Sequence, residues 1–512
     1  MKTEEEGSLT IFSALSLLLI LSFLLALLEG ARVSGLQMMD TLAADTGMDC
    51  VAAEYQTVLW DKYHLLYLDG AYGWDQFDEN KVSSRVMDYV AGNLSQTGEN
   101  SVFRTKLCEA SLLEYMFATD NDGTGMLRQA SAYMKRPLPE DVAKKMYQQY
   151  QDGKKAEADG KTEYSVEDAD QAIINAKKEK EQADQNDKEG TPQEEAGEKN
   201  IQDNENNHAQ DAEDGKKESP IQIVLQLKQN ALLGMTVSDM SSLSAKAVEA
   251  KDMVSNRQCE TGRYDMKKAE KMNVSDRVMV LEYIGKHFSD YTEPGKGDLT
   301  YEMEYILCGK DTDKKNLESS IERLMRMREA ANVAHIIADR EKLNQTLMIA
   351  TSLAGFSGNP AVVKIVQIGV VAAWAYVESI LDLRTLLSGG KISLIKSAAE
   401  WTTDLKKLGE IVTGEGKARE CKNGLSYQAY IKQLLFAMKE KKMAYRMMDI
   451  MELAMQKEQN GKNARMDHMI DNMICELRFE AKPLFAKRSL YGDMEMGGYT
   501  FFKRQKLSYI NK

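Results

Sequence analysis

Residues 8–28 read SLTIFSALSLLLILSFLLALL, twenty-one positions without a charge. As a helix they reach about 31 Å, the thickness of a bilayer's hydrocarbon core. The flanks are Lys2 and Glu4, Glu5 and Glu6 on one side, and Glu29 and Arg32 on the other. A secretory signal peptide is the rival reading. Such a peptide has a basic start, a shorter apolar core and a small-x-small cleavage site. Here three glutamates oppose one lysine, the core is long, and no clear cleavage site falls between Leu25 and Gly30. The stretch therefore predicts a retained transmembrane anchor, with residues 1–7 as a short cytoplasmic leader. The bulk of the chain is then extracytoplasmic, on a single-pass protein of the cell membrane. Few Lys or Arg flank the run, so the positive-inside rule has little to weigh in setting this orientation.

A second apolar run, AVVKIVQIGVVAAWAYVESIL at residues 361–381, passes the same test less well. Lys364 and Glu378 leave only thirteen uncharged residues between them, a length that suits a buried core helix better than a second span. Its ends are punctuated by Gly358-Asn359-Pro360 before it and Ser388-Gly389-Gly390 after it.

Beyond the anchor, Val33, Leu36, Met39, Ala43 and Cys50 recur at helical spacing, so the helix continues outward as a stalk. Residues 29–151 are read as this stalk and the first part of an ectodomain, with the Tyr- and Leu-rich stretch Trp60 to Trp74 helping to cover it. Residues 152–219 have almost no apolar content and predict a disordered or loosely helical acidic linker or insertion, with Tyr147 to Ala176 able to extend a helix into it. Order is expected to resume at Pro220 and to run to residue 512 as one helix-rich domain. Helical patterns cover Asp276 to His287, Leu317 to Ile349, Pro360 to Leu387 and Tyr427 to Asn460. LRFEAKPLFAKRSLYG and YTFFKRQKLSYI read as two strands joined by a turn near Asp493 to Gly498. Three segments, LLEYMFATDNDG, VLEYIGKHFSD and EMEYILCGKDTD, share a Glu-Tyr followed by a polar turn, which reads as helix ends rather than duplication. The fold class is mainly α with a small antiparallel β element at the C-terminus (α+β).

Only 7 Pro against 30 Met in 512 residues agrees with a helical protein. A net charge of −13, with lysines interleaved among acids, argues against a nucleic-acid partner. Cys50, Cys108, Cys259, Cys308, Cys421 and Cys475 form no CxxC and have no histidine at zinc spacing. Outside the cytoplasm an even number permits disulfides without requiring them.

Motifs for chemistry are weak. Gly414-Glu415-Gly416-Lys417 and Gly389-Gly390-Lys391 lack the spacing of a phosphate loop. Gly355-Phe356-Ser357-Gly358 falls one residue short of a nucleophile elbow, and the histidines His64, His208, His287, His335 and His468 are scattered. Asp120-Asn121-Asp122-Gly123 resembles part of a calcium loop but lacks its final acid. Glu378 is different, because a carboxylate inside an apolar helix is costly unless paired. It is expected to be a structural buried charge, with Arg384 or Lys364 as candidate partners, rather than a catalytic acid.

Gly7 before the apolar run, the run itself and Leu28-Glu29-Gly30-Ala31-Arg32 after it resemble the minor pilins of the tight-adherence (Tad) pilus, the TadE/TadG type. That resemblance implies a leader cut between Gly7 and Ser8, with Glu29 and Arg32 at the outer membrane interface. It also implies an assembly glutamate five residues after the cut, where Phe12 stands in this sequence. Tyr301 to Lys310, Trp374 to Ser379 with Leu386 to Lys391, and Gly424 to Tyr430 are similar to an uncharacterised family of Firmicutes membrane proteins. This second resemblance implies an envelope location and brings no activity.

The expected function is a non-catalytic structural or accessory component of a Tad-like pilus or secretion system. An anchored envelope hydrolase and a ligand-binding ectodomain are the alternatives. The expected partners are the lipid bilayer and proteins of that apparatus, with a homo-oligomer possible. No cofactor or metal is expected.

Overall fold

The structure is a computed structural model that describes residues 2–95, 102–135, 140–161, 165–189, 219–264, 272–409, 416–458, 461–485 and 498–509. It opens with α1 (Lys2–Ala52), α2 (Thr57–Tyr63), β1 (Leu68–Asp69), α3 (Glu79–Ser95), β2 (Lys106–Phe117) and α4 (Thr124–Lys135). There follow α5 (Glu140–Asp159), α6 (Val166–Glu189), α7 (Pro220–Leu227), α8 (Leu232–Thr236), α9 (Val274–His287) and α10 (Glu302–Cys308). Next come α11 (Asp313–Ala338), α12 (Arg340–Ala354), α13 (Pro360–Leu387), α14 (Tyr427–Phe436) and α15 (Glu440–Gln456). The strands β3 (Met469–Ala481) and β4 (Tyr499–Ser508) close the chain. The chain is mainly helical with a small antiparallel sheet, as its composition requires.

Two compact units form. The first gathers Met1–Arg136, Ala250–Asp276 and Lys439–Lys512; the second holds Pro137–Glu249 and Arg277–Met438. The expected single domain over 220–512 is therefore divided, and its last seventy or so residues join the N-terminal part.

In the first unit β3 is central, with antiparallel β2 along one edge and β4 and β1 along the other. Period-2 alternation puts Met473, Cys475, Leu477 and Phe479 of β3 on one buried face. Val82, Val86 and Val90, four apart on α3, and Ala44, Met48 and Val51 of α1 belong to the same core. A Cβ on Gly47 would lie 2.4 Å from Val90, so glycine there sets how closely α1 and α3 approach. The segment after Ala250 is pinned by Arg257, which reaches Glu452 at 2.6 Å and Asp467 at 2.7 Å.

Two expectations need correction here. The penultimate strand begins at Met469 rather than Leu477 and ends at Ala481, while the expected turn falls largely in residues 486–497, outside the described residues. The segment LLEYMF is strand, not a helix end. Its partner β3 lies more than 350 residues downstream, with Leu112 opposite Cys475, and no local pattern reveals such a pairing. VLEYIGKH and EMEYILC are helices, so the three similar segments adopt different structures.

In the second unit α13 is the hub, with α6, α11 and α12 packed around it. Asn359 caps its start by accepting from the Ala361 N–H at 2.9 Å. Gly389, at φ +87°, turns the chain away just past its end. The apolar run at 361–381 is thus a core helix, with most of its residues buried. The helical pattern Leu317 to Ile349 is broken at Asp339, whose carboxylate caps α12 by accepting from Glu341 and Lys342 N–H.

The expected linker 152–219 is ordered helix packed in the second unit over 152–159 and 166–189. Residues 152–159 continue α5, and 166–189 form α6, with Val166, Ala169 and Ala176 buried. Residues 190–218 lie outside the described residues. Small side chains explain the misreading. A Cβ on Gly369 of α13 would sit 2.1 Å from the Ala169 Cβ, and one on Gly160 would sit 1.8 Å from the Ala330 carbonyl oxygen. Contact made through Ala and Gly buries backbone closely while contributing little apolar composition. Gly369→Ala is expected to cost about 1–3 kcal/mol by overpacking. It should appear as a lower urea midpoint with an unchanged m-value.

Candidate membrane anchor

α1 is one uninterrupted helix with two environments. From Leu9 to Leu28 its large side chains are exposed around the helix except for half-buried Leu25, with Leu9 at 69% and Leu19 at 68% exposure. It is long and apolar enough to cross a membrane, and its apolar window buries nothing against the rest of the chain. From Glu29 onward the same helix enters the first unit, where Leu36, Ala44 and Val51 are fully buried. Gly7 and Ser8 lie on its backbone within the first two turns.

Glu29 and Arg32 stand at the change of environment, and each is only 5% exposed. One helical turn apart, they pair at 2.7 Å. The Arg32 guanidinium also donates to the Val102 carbonyl and to the Lys482 carbonyl, both at 2.7 Å. Glu29 accepts from the Phe485 N–H at 2.9 Å. Burial alone would raise the Glu29 carboxyl. The Phe485 and Leu484 N–H groups, Arg32 and the Tyr499 hydroxyl outweigh it and hold the carboxyl below its usual range. The pair therefore ties α1 to the chain before β2 and to the chain after β3.

Glu378 is fully buried, but its partner is neither Arg384 nor Lys364. Arg384 donates to the Met235 carbonyl at 2.7 Å, and Lys364 reaches Gln367 at 3.4 Å. Lys396, carried back from beyond the end of α13, pairs with Glu378 and lies 2.5 Å from Asp382. The Thr402 and Thr403 N–H groups donate to Glu378 at 3.1 and 2.9 Å. Arg328 of α11 meets Asp382 at 3.0 Å and donates to the Ser393 and Leu394 carbonyls and to Tyr430. Asn332 bridges Ser379 and Asp382 at 2.9 and 3.0 Å. Two acids and two bases, all with fully buried side chains, form a neutral set that joins α11, α13 and the chain after it. Only the apolar neighbours of Lys396 in KISLIKSAAEW hinted at its burial.

Sequence reading passed over a second buried acid. Glu304 of α10 accepts from the Tyr427 hydroxyl at 2.7 Å and the Tyr291 N–H at 2.9 Å, and among the described residues no cation pairs with it. Burial, with a smaller contribution from Asp290, pushes its carboxyl up from 4.5 to about 8. In the first unit burial likewise raises Asp471 to about 7. Between pH 4.5 and about 8 folded Glu304 keeps a proton that the unfolded chain has lost, so raising the pH through this window draws stability down. Glu304→Gln is expected to flatten that slope, read as Tm against pH for the variant and the parent chain.

The remaining motifs are placed apart. Ser357 donates to the Ala354 carbonyl at 2.7 Å in a short turn. The turn after β2 holds Asn121 and Asp122 at positive φ. Asp120 itself accepts from the Phe117 and Gly262 N–H groups at 2.7 and 3.0 Å. His335 stacks on Trp401, His64 packs on Tyr133, and His468 lies 3.3 Å from Glu260. His208 and residues 410–415 are outside the described residues. All six cysteines are free thiols. Among the described residues no three His, Cys, Asp or Glu side chains are grouped to hold a metal.

The family of unknown function DUF5702 matches residues 210–481, just over half of the chain. The chain belongs to the DUF5702 family. The matched residues contain Arg328, Asp382, Glu378, Lys396, Glu304 and Tyr427, and they end with β3 at Ala481. The DUF5702 match therefore holds the central strand but neither β2 nor β4, its two long partners. Comparison with curated proteins and with solved structures gives no match.

Proposed function

We propose that α1 holds this chain in the cell membrane as a single span, with both folded units on the extracytoplasmic side. In this reading the protein is a non-catalytic structural or accessory component of a Tad-like pilus or secretion system. One observation carries it: a single helix has an open apolar half and a half built into a folded core, without a break between them. Such a helix transmits the position of the membrane rigidly to the unit above it. The buried set of Arg328, Lys396, Glu378 and Asp382 supports a structural role, since its members are committed to one another away from solvent. Gly7 and Ser8, as a pilin-type cleavage pair, supply the link to an assembly apparatus.

The test is intact mass and N-terminal sequence of the protein from its native membrane, after an alkaline wash that removes peripheral proteins. A membrane-retained chain starting at Ser8 supports anchoring and pilin-type processing. A start at Met1 supports a fixed anchor and overturns entry into a filament. A start beyond Gly30, or release by the wash, overturns the anchor. Cross-linking in the same membranes then examines the apparatus, and failure to reach any pilus or secretion component overturns that part.

A further inference from the structure

Four large apolar side chains are exposed around the point where α1 leaves its apolar stretch. Val102 (45%) and Phe103 (41%) precede β2, and Leu484 (40%) and Phe485 (37%) follow β3. Isolated exposed apolar residues are ordinary; a group held in register with an apolar helix is not. These are held. Arg32 binds the Val102 and Lys482 carbonyls, and Glu29 binds the Phe485 N–H. Tyr499, at the start of β4, adds its hydroxyl to Glu29.

The level of this group follows from helix geometry. Glu29 and Arg32 lie one and four residues past Leu28, about 1.5 and 6 Å further along the axis. The headgroup layer on each side of a bilayer is about 5–8 Å thick. With Leu28 at the edge of the hydrocarbon, the backbone of both loops is pinned at headgroup depth. The Phe103 ring lies against Gly35, about 10 Å past Leu28 and so just beyond that layer. Arg104, Lys106 and Lys482 are exposed in the same two segments, where cations meet lipid phosphates. Apolar and aromatic side chains with basic neighbours are the composition of a surface that rests in the membrane interface.

We propose that Val102 and the Leu484–Phe485 pair form an apolar foot that inserts into the lipid interface beside α1. This rests on the reading of α1 as a membrane span. The Glu29–Arg32 pair is the positioning element, fixing both loops to the helix at one depth. The foot gives the first unit a second attachment to lipid and restrains its tilt and its rotation about α1.

The experiment uses the full chain reconstituted in phosphatidylcholine–phosphatidylglycerol vesicles carrying lipids brominated at shallow or deep acyl positions. Single tryptophans are added at exposed sites, and their emission is read as the difference from the parent chain. Leu484→Trp and Phe485→Trp should lose their added emission to the shallow bromines. Leu19→Trp, inside the span, should lose its emission to the deep ones. Met38→Trp, exposed on α1 about 15 Å past Leu28, should lose none. If Leu19→Trp is quenched and the two loop variants are not, the foot is overturned and the anchor stands. If Leu19→Trp is not quenched, the anchor fails and the foot with it. Blue-shifted but unquenched loop tryptophans would place the loops against protein, such as a second copy of this chain, and would also overturn the proposal.

Discussion

Glu378→Ala is expected to destabilise the helical unit by about 3–5 kcal/mol, the cost of leaving one member of a buried ion pair without its partner. The arrangement sets this size. Arg328, Lys396, Glu378 and Asp382 balance two positive against two negative charges with no exposure to water. Without Glu378, Lys396 keeps only Asp382, which it must share with Arg328, and the set carries a net positive charge in a medium that cannot screen it. The Thr402 and Thr403 N–H groups lose their acceptor as well, each worth about 1–3 kcal/mol when buried and unpaired. Glu378→Gln should cost less, because its amide oxygen can still accept from one of those groups. Glu378→Met with Lys396→Met restores neutrality and should cost less than the two single changes added together. Urea midpoints of the four chains give the coupling directly. Strict additivity would mean that the pair does not act as a unit.

Arg32→Ala is expected to loosen the first unit by a similar amount, about 3–5 kcal/mol, but locally. The change leaves Glu29 buried without its cation and deprives the Val102 and Lys482 carbonyls of their donor. Arg32→Lys should recover only part of this, since one ammonium cannot replace a planar fork that serves three acceptors. Hydrogen exchange of the full chain in micelles is the measurement. Protection should fall in the segments beside 102 and 485 and hold at Met473 to Leu477 in the middle of β3. Uniform loss across the sheet would mean that Arg32 supports the whole core rather than the two loops. The pH dependence follows from the lowered carboxyl of Glu29. Its contribution is present above the unfolded value of 4.5 and is lost as pH falls through the lower folded value.

Local chemistry accounts for what could be read beforehand. The uncharged run Ser8 to Leu28, the caps around Pro360 to Leu387 and the need for Glu378 to be paired all depend on neighbours within a few turns. The mainly helical fold and the closing antiparallel strands were legible for the same reason. The order in residues 152–161 and 165–189 was not, because Ala and Gly pack α6 closely through their backbones and leave a sequence that looks unstructured. Asp471 and Glu304 were not recognised as proton-holding acids, since only their burial separates them from the many acids on the surface.

By itself, then, the sequence determined an apolar helix at one end, a capped core helix at 360–387 and a buried carboxylate in search of a cation. Only the tertiary structure decided that Lys396 is that cation, that β2 is a strand and that residues 439–512 belong with the N-terminal part. The reason is physical. Helices and caps are satisfied by hydrogen bonds within a few residues, whereas strand edges and buried charges are satisfied by whatever the folded chain brings beside them.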